Sequence, residues 1–410
     1  MKVLVYDHGL FVDIAVRLAR DFDTVYYFCP WAEAFPKSHK ARIGQGMEGI
    51  TRILSFWNYV DKVDLIVFPD TYNWDAVEYL KSKDYPVAGV GRAEILELDR
   101  FLARSIQRDR RLPTQRTRKM TGLHTLEQTI ENLRDVYVKL NIFRGDIESF
   151  HAPAYKVVEP LLHHLAAELG PFHDSVEFVV EDGVEGVEPG FDGITFDGEI
   201  LYPTMYGYEL KGGIYIARVV HREEDVPAPL RLVNNAFFNE WKRMRTRFFF
   251  STEVRVDKKG NGYLIDVTMR LASPVPGLLQ SEAIDNYSQV IYGLARGEIV
   301  TPKIKYKYLG GVSLSAPWSE DHWLGIDLDE KQRKYIKLRY AAKHRGRYYA
   351  VPGLGAPVVV IGMGNTIEEV IDDVQEKVNE IQAYGLIKEP IDKQGVLEEI
   401  QEGRKYGVDF

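Results

Sequence analysis

Two short runs carry the side chains best suited to chemistry: Ser251-Thr-Glu253-Val-Arg255-Val and, after a turn at Lys259-Gly260-Asn261-Gly262, Tyr263-Leu-Ile-Asp266-Val-Thr268-Met-Arg270. Side chains alternate faces along a strand, so Glu253 and Arg255 share one face, and Asp266, Thr268 and Arg270 share one face of the returning strand. Val254, Val256, Ile265, Val267 and Met269 then form the opposite, apolar face. Paired as a hairpin, the segment gathers carboxylates, a hydroxyl and guanidinium groups on a common surface. Magnesium takes one or two carboxylates together with phosphate oxygens and water, a set that Glu253 and Asp266 can supply while Arg255 and Arg270 balance phosphate charge. An exposed hairpin face laced with salt bridges fits the same alternation.

The elements that must position this hairpin begin with a βαβ rhythm. Strand-like runs at 2–6, 24–28, 64–68 and 86–90 are separated by an amphipathic segment with Ile14, Leu18 and Ala19 and by a helix at 74–80. That alternation predicts an open, doubly wound parallel sheet, whose ligands sit beyond the carboxyl ends of its strands. Asp7, His8, Gly9, Asp70 and Thr71 occupy those ends and serve equally well as turn or capping residues. From Ala93 the texture changes to a helix, a basic connector around Pro113, a helix at 125–133 and a strand at 135–140. Residues 176–271 are strand-rich, with turns expected at Asp192-Gly193, Asp197-Gly198 and Gly212-Gly213, which predicts an antiparallel sheet. A strand at 358–362 and a periodic helix at 366–381 close the chain. The fold class is α/β and α+β, in several domains.

Composition narrows the function. The chain has 410 residues, 45% of them hydrophobic, enough for about two or three domains with their own cores. Its apolar runs are far shorter than the roughly 20 residues that cross a bilayer, so a cytoplasmic protein with no membrane partner is expected. Cys29 is the single cysteine and cannot form an intramolecular disulfide, and the ten histidines show no zinc-type spacing with it. A metal would have oxygen ligands. The net charge of -8 weighs against nucleic acid as a partner. The run Arg104, Arg108, Arg110, Arg111, Arg116, Arg118 and Lys119, opposed only by Asp109, reads as a solvated helix and connector or as a surface for an anionic partner.

The pattern Asp266-x-Thr268-x-Arg270 after Glu253 resembles the metal-binding hairpin of ATP-grasp enzymes, usually Glu followed by Glu-x-Asn-x-Arg. Asp266 is shorter than the usual second glutamate and Thr268 replaces the asparagine, yet both offer oxygen to a cation. The resemblance implies an ATP-grasp fold with an N-terminal Rossmann-like domain (1–92), an ATP-grasp domain (93–335) whose mobile lid covers about 115–180, and a small C-terminal α/β domain (336–410). ATP and Mg2+ (or Mn2+) are the implied cofactors, with Glu253, Asp266 and Thr268 on the metal. Lys139, ending a strand, resembles the family's phosphate-binding lysine. Arg144 and Gly145 match the loop that closes over the triphosphate. Leu96-Glu97-Leu98-Asp99-Arg100 is similar to a segment of phosphoribosylamine-glycine ligases, with Arg100 in place of a nucleotide-contacting lysine. Glu181 and Glu188, in Phe178-Val-Val-Glu181 and Gly186-Val-Glu188, resemble the adenine hinge and imply ribose contacts, with Glu185 as an alternative register. Lys211, in a flexible turn, is a candidate phosphate or substrate contact beside Arg255 and Arg270. Val359-Val-Ile-Gly-Met-Gly364 resembles the carboxyl-terminal domain of those ligases, so that the matched segments run in order over residues 2–385.

The activity implied is an ATP-dependent carboxylate-amine ligase that forms an acyl phosphate and releases ADP and phosphate. Small-molecule carboxylate and amine substrates are the expected partners, and a homodimer is compatible with the resemblance. The first strand ends in Tyr6-Asp7-His8-Gly9-Leu10-Phe11, where phosphoribosylamine-glycine ligases carry a glycine-rich, phosphate-approaching turn. An unphosphorylated acceptor, such as an amino acid or a small polyamine, is expected instead. Two other readings stay open: a catalytically degenerate ATP-binding regulator, suggested by Asp266 and Thr268, and a ligase modifying a nucleic-acid or protein acceptor, suggested by the 104–119 run.

Overall fold

A computed structural model of the chain describes residues 1–30, 39–141, 149–210 and 213–410. The opening strands form a parallel sheet in the order Ile50–Arg52, Thr24–Phe28, Lys2–Tyr6, Leu65–Val67, Val87–Ala88. The run Val3, Leu4 and Val5 is fully buried, as a strand covered on both faces requires. The edge strand Ile50–Arg52 was not expected, because Ile50-Thr-Arg is too short to show a period.

Residues 117–182 fold as a separate layer. Strands Thr117–Thr121, Glu177–Asp182, Val136–Leu140 and Ser149–Ala152 form an antiparallel sheet. Helices Leu123–Glu131 and Tyr155–Leu169 cover it, enclosing a core of their own around Leu126, Ile130, Val138, Leu162 and Phe178.

The largest sheet is antiparallel, in the order Gly262–Thr268, Arg247–Val256, Pro189–Phe196, Glu199–Glu209, Ile214–Val220, Tyr308–Leu314, Val358–Gly364, Ile336–Leu338. Asp197 and Gly198 make the expected tight turn, both with positive φ, which matches the twist of the flanking strands. The turn expected at Asp192-Gly193 is absent. Both residues lie inside the strand Pro189–Phe196, at a break in register between Asp192 and Ile194. Glycine is needed there for space, since a Cβ on Gly193 would stand 2.6 Å from the Phe191 ring. The tail strand joins this large sheet, and the helix Ile367–Glu380 behind it is capped by the Thr366 side chain, which accepts from the Glu369 N–H at 3.1 Å. A smaller antiparallel sheet, Ala341–His344, Arg347–Ala350, Leu324–Asp327 and Gln382–Ala383, completes the fold. Among the described residues no helix is long and apolar enough to cross a membrane.

Candidate active site

The acidic hairpin forms, with one departure from simple alternation. Glu253 stands opposite Asp266, Ser251 opposite Thr268 and Arg255 opposite Tyr263, but Val254 stands opposite Leu264. Ile265 is therefore an extra residue, a β-bulge. The apolar face expected from Ile265 is corrected accordingly: Leu264 enters the core at 2% exposure, and Ile265 is only half-buried. The bulge frees the Ile265 carbonyl, which accepts from Lys139 Nζ at 2.5 Å and from Arg104 Nη2.

Glu253 opens onto a cleft yet is surrounded by protein at longer range. Its enclosure, then the charges of Asp266 and Glu188, push its carboxyl up to about 7, with Lys139 opposing. Among the described residues no three carboxylate, imidazole or thiol groups converge as a self-sufficient metal cage. A cross-strand carboxylate pair that repels itself suits a divalent cation whose other ligands are phosphate oxygens and water. Thr268 lines the same cleft as Glu253.

Opposite the hairpin stands a cationic wall. Lys139, at 6% exposure, lies 3.6 Å from Glu181 Oε2. Arg104 is fully buried and grips Glu181 with both arms, Nε to Oε1 at 2.8 Å and Nη2 to Oε2 at 3.1 Å. Burial alone would raise the Glu181 carboxyl, but Arg104 and then Lys139 outweigh it and hold the group below the usual carboxylate range. Arg104 thus corrects the picture of 104–119 as a uniformly solvated run. It lies one turn beyond Arg100 in the helix Arg100–Asp109, a spacing that puts both on one face. Arg100, wedged between the layers, donates Nη1 to the Leu140 carbonyl at 2.5 Å and lies 3.7 Å from Asp266 through Nε. Asp99 caps this helix, accepting from the Leu102 N–H at 3.0 Å.

Glu188 is ion-paired to Arg255. The turn that delivers it packs directly on the hairpin, with Val187 bridged to Val256. A Cβ on Gly186 would stand 2.0 Å from the Val256 carbonyl oxygen, so only glycine fits. Lys211, Arg144 and Gly145 lie outside the described residues.

Arg270 links the hairpin to the parallel sheet. Its Nε donates to Glu97 Oε1 at 3.0 Å and lies 3.5 Å from Asp70 Oδ1, while the other Glu97 oxygen accepts from the Met269 N–H at 2.6 Å. Asp70 belongs to the expected cluster at the strand ends, and the structure adds Asn73, Glu94, Arg339 and Tyr340 to it. Asn73 Nδ2 lies 3.2 Å from His8 Nε2, and the Tyr340 N–H donates to the Gly9 carbonyl at 2.8 Å. Burial, reinforced by Asp70, raises the Asp7 carboxyl to about 7 against the hydrogen bond from Tyr27, and burial likewise raises Glu94 to about 7. Burial lowers Arg339 to about 10. Asp7 Oδ1, Thr71 Oγ1, Glu94 Oε1 and Arg339 Nε are buried without a hydrogen-bond partner. Orphaned polar atoms at the carboxyl end of a parallel sheet suit a polar ligand. Glu94 and Arg339 lie far apart in sequence with no local pattern, so only the tertiary structure could bring them here.

No family model matches the chain. No curated protein matches it by sequence. Solved structures match along nearly its whole length, and the architecture is the ATP-grasp fold. A phosphoribosylamine-glycine ligase from Thermotoga maritima superposes with a TM-score of 0.69 at 15% identity, covering 94% of this chain and 98% of that one. An L-amino acid ligase from Bacillus licheniformis gives 0.61 at 16% identity, covering 95% and 98%. The biotin carboxylase domain of 2-oxoglutarate carboxylase from Hydrogenobacter thermophilus, solved with MgADP and bicarbonate, gives 0.66 at 13% identity, covering 94% and 91%. At these identities the likeness establishes the fold.

Proposed function

We propose that the protein is an ATP-dependent carboxylate-amine ligase. The observation that carries this reading is the Glu253–Asp266 cross-strand pair, set across from Lys139 and Arg100 between the two sheets of an ATP-grasp fold. Such a pair concentrates negative charge where a cation would offset it, and the buried cations opposite it suit a polyphosphate. Glu253, Asp266 and Thr268 would hold Mg2+ or Mn2+. Lys139 and Arg100 would take phosphate oxygens, with Arg144 and Gly145 closing over them, and Glu181 and Glu188 would face the nucleoside. Arg255, Arg270 and Lys211 would neutralise charge at the reacting centre.

A carboxylate is a poor electrophile with a poor leaving group. ATP supplies the leaving group by phosphorylating it, and the resulting acyl phosphate is attacked by the amine, with phosphate departing. The protein's share is orientation and charge neutralisation. The orphaned groups of Asp7, Thr71, Glu94 and Arg339 would supply polar contacts to one substrate.

ADP release should require a carboxylic acid and an amine together. Asp266→Asn should lower that turnover by about 100-fold, the scale of losing one key electrostatic group, while leaving the melting temperature close to wild type. ATP hydrolysis indifferent to every acid and amine pair, or near-normal turnover by Asp266→Asn, would overturn the proposal.

A further inference from the structure

The cleft beside Glu253 has a volume of about 170 Å³. Its floor is the large sheet and its roof the segment Ala272–Pro276 that follows Arg270. Among the described residues its carboxylates are Glu188, Asp192, Glu209 and Glu253, and no Lys, Arg or His lines it. Two of these have assigned counter-charges. Glu188 is answered by Arg255, and Glu253 belongs with Asp266 to the proposed cation pair. Asp192 and Glu209 remain.

Asp192 is built into place. It is 2% exposed and sits at the break in register of the strand Pro189–Phe196. Its carbonyl accepts from the Thr204 hydroxyl at 2.6 Å and from Gln280 Nε2 at 3.2 Å, and its Oδ2 accepts from the Tyr215 hydroxyl. Its Oδ1 makes no hydrogen bond of good geometry, with the Ser251 hydroxyl of the same cleft the side-chain donor beside the carboxylate. A buried carboxylate oxygen without a well-aligned donor is costly, and the cost is relieved by a donor that arrives with a ligand. Val275, Pro274 and Pro276 add an apolar surface beside it.

We propose that this cleft seats the amine substrate as an alkylammonium ion, with Asp192 Oδ1 accepting an N–H and Glu209 supplying the second negative charge. The class favoured is a short diamine. An amino acid would bring its own carboxylate against Asp192 and Glu209, the two charges of the cleft that neither Arg255 nor the proposed metal answers. The inference rests on the ligase reading and adds the class of its acceptor.

The test is calorimetric titration of the full-length protein, preloaded with Mg2+ and the non-hydrolysable analogue AMP-PNP, with 1,4-diaminobutane and with 4-aminobutyrate. The two ligands have similar length, and one ammonium is exchanged for a carboxylate. The diamine should bind at least about tenfold more tightly, and Asp192→Asn should weaken it by about tenfold or more, the scale of a hydrogen bond to a charged group, with AMP-PNP affinity unchanged. Should Asp192→Asn not fold, the comparison of ligands on the wild type still decides. Equal or tighter binding of 4-aminobutyrate, or no diamine binding by a protein that holds Mg–AMP-PNP normally, overturns the inference. Failure to bind Mg–AMP-PNP overturns the ligase reading beneath it.

Discussion

Metal affinity should depend on pH through Glu253, with a size that the hairpin sets. Enclosure, then Asp266 and Glu188, bring its carboxyl to about 7 in the absence of a cation. Below that pH the group holds a proton, which an incoming metal must displace. Above it the carboxylate is ready to coordinate. Apparent affinity should therefore be nearly flat from pH 7.5 upward and fall by about tenfold between pH 8 and pH 6. The measurement is Mn2+ titration followed by electron paramagnetic resonance in the presence of saturating AMP-PNP. Glu253→Gln serves as the reference, because it keeps the nucleotide's own titration and removes this carboxyl. Asp266→Asn should move the step to lower pH, since the second-largest cause of the raised value is gone, while weakening binding overall. Identical pH slopes for wild type and Glu253→Gln, or a step that Asp266→Asn leaves in place, would refute the assignment of these two residues to one cation.

Arg104→Met should destabilise the protein by about 3–5 kcal/mol in urea denaturation, because Glu181 loses its bidentate partner while still buried, and Arg104→Met combined with Glu181→Leu should recover much of that loss. Asp7 and Glu94 both have folded-state values raised to about 7 from ordinary values of 3.8 and 4.5. The folded protein thus binds more protons than the unfolded chain in that interval, so stability should fall as pH climbs from about 4 through 7, and thermal melts of Asp7→Asn should show a shallower decline. Gly186→Ala would place a methyl group 2.0 Å from the Val256 carbonyl, so it should cost about 1–3 kcal/mol and raise the KM for ATP by shifting Glu188. An unchanged KM would separate that turn from nucleotide binding.

What could be read in the sequence follows how local each signal is. The strands of the first sheet announce themselves as short β-branched and aromatic runs, and Asp197-Gly198 as a dipeptide that tolerates positive φ at both positions. That Glu253 and Asp266 could share one surface of a hairpin was legible from alternation along each strand, but their direct pairing was not, because the register the turn sets, with Val254 opposite Leu264, would put Glu253 opposite Ile265. Asp192-Gly193 misled for an instructive reason. The dipeptide has turn chemistry, but the glycine is there to admit the Phe191 ring, and the strand runs on through a bulge.

The Ile265 bulge is the deeper case. Nothing in Tyr263-Leu-Ile-Asp266 distinguishes a regular strand from one with an extra residue, since Leu264 and Ile265 are both apolar and either could face the core. The choice is made from outside the hairpin. Lys139 and Arg104 arrive from a different layer, buried, and need acceptors; the Ile265 carbonyl supplies one because the bulge has removed it from the ladder. Both cations also hold Glu181, and the freed carbonyl completes their hydrogen bonding in a buried setting. The same step brings Asp266 opposite Glu253, while Leu264 rather than Ile265 enters the core. One register shift thus satisfies the core, the buried cations and the carboxylate pair together. Its cause lies 126 residues away in sequence, at Lys139, where no local pattern could show it.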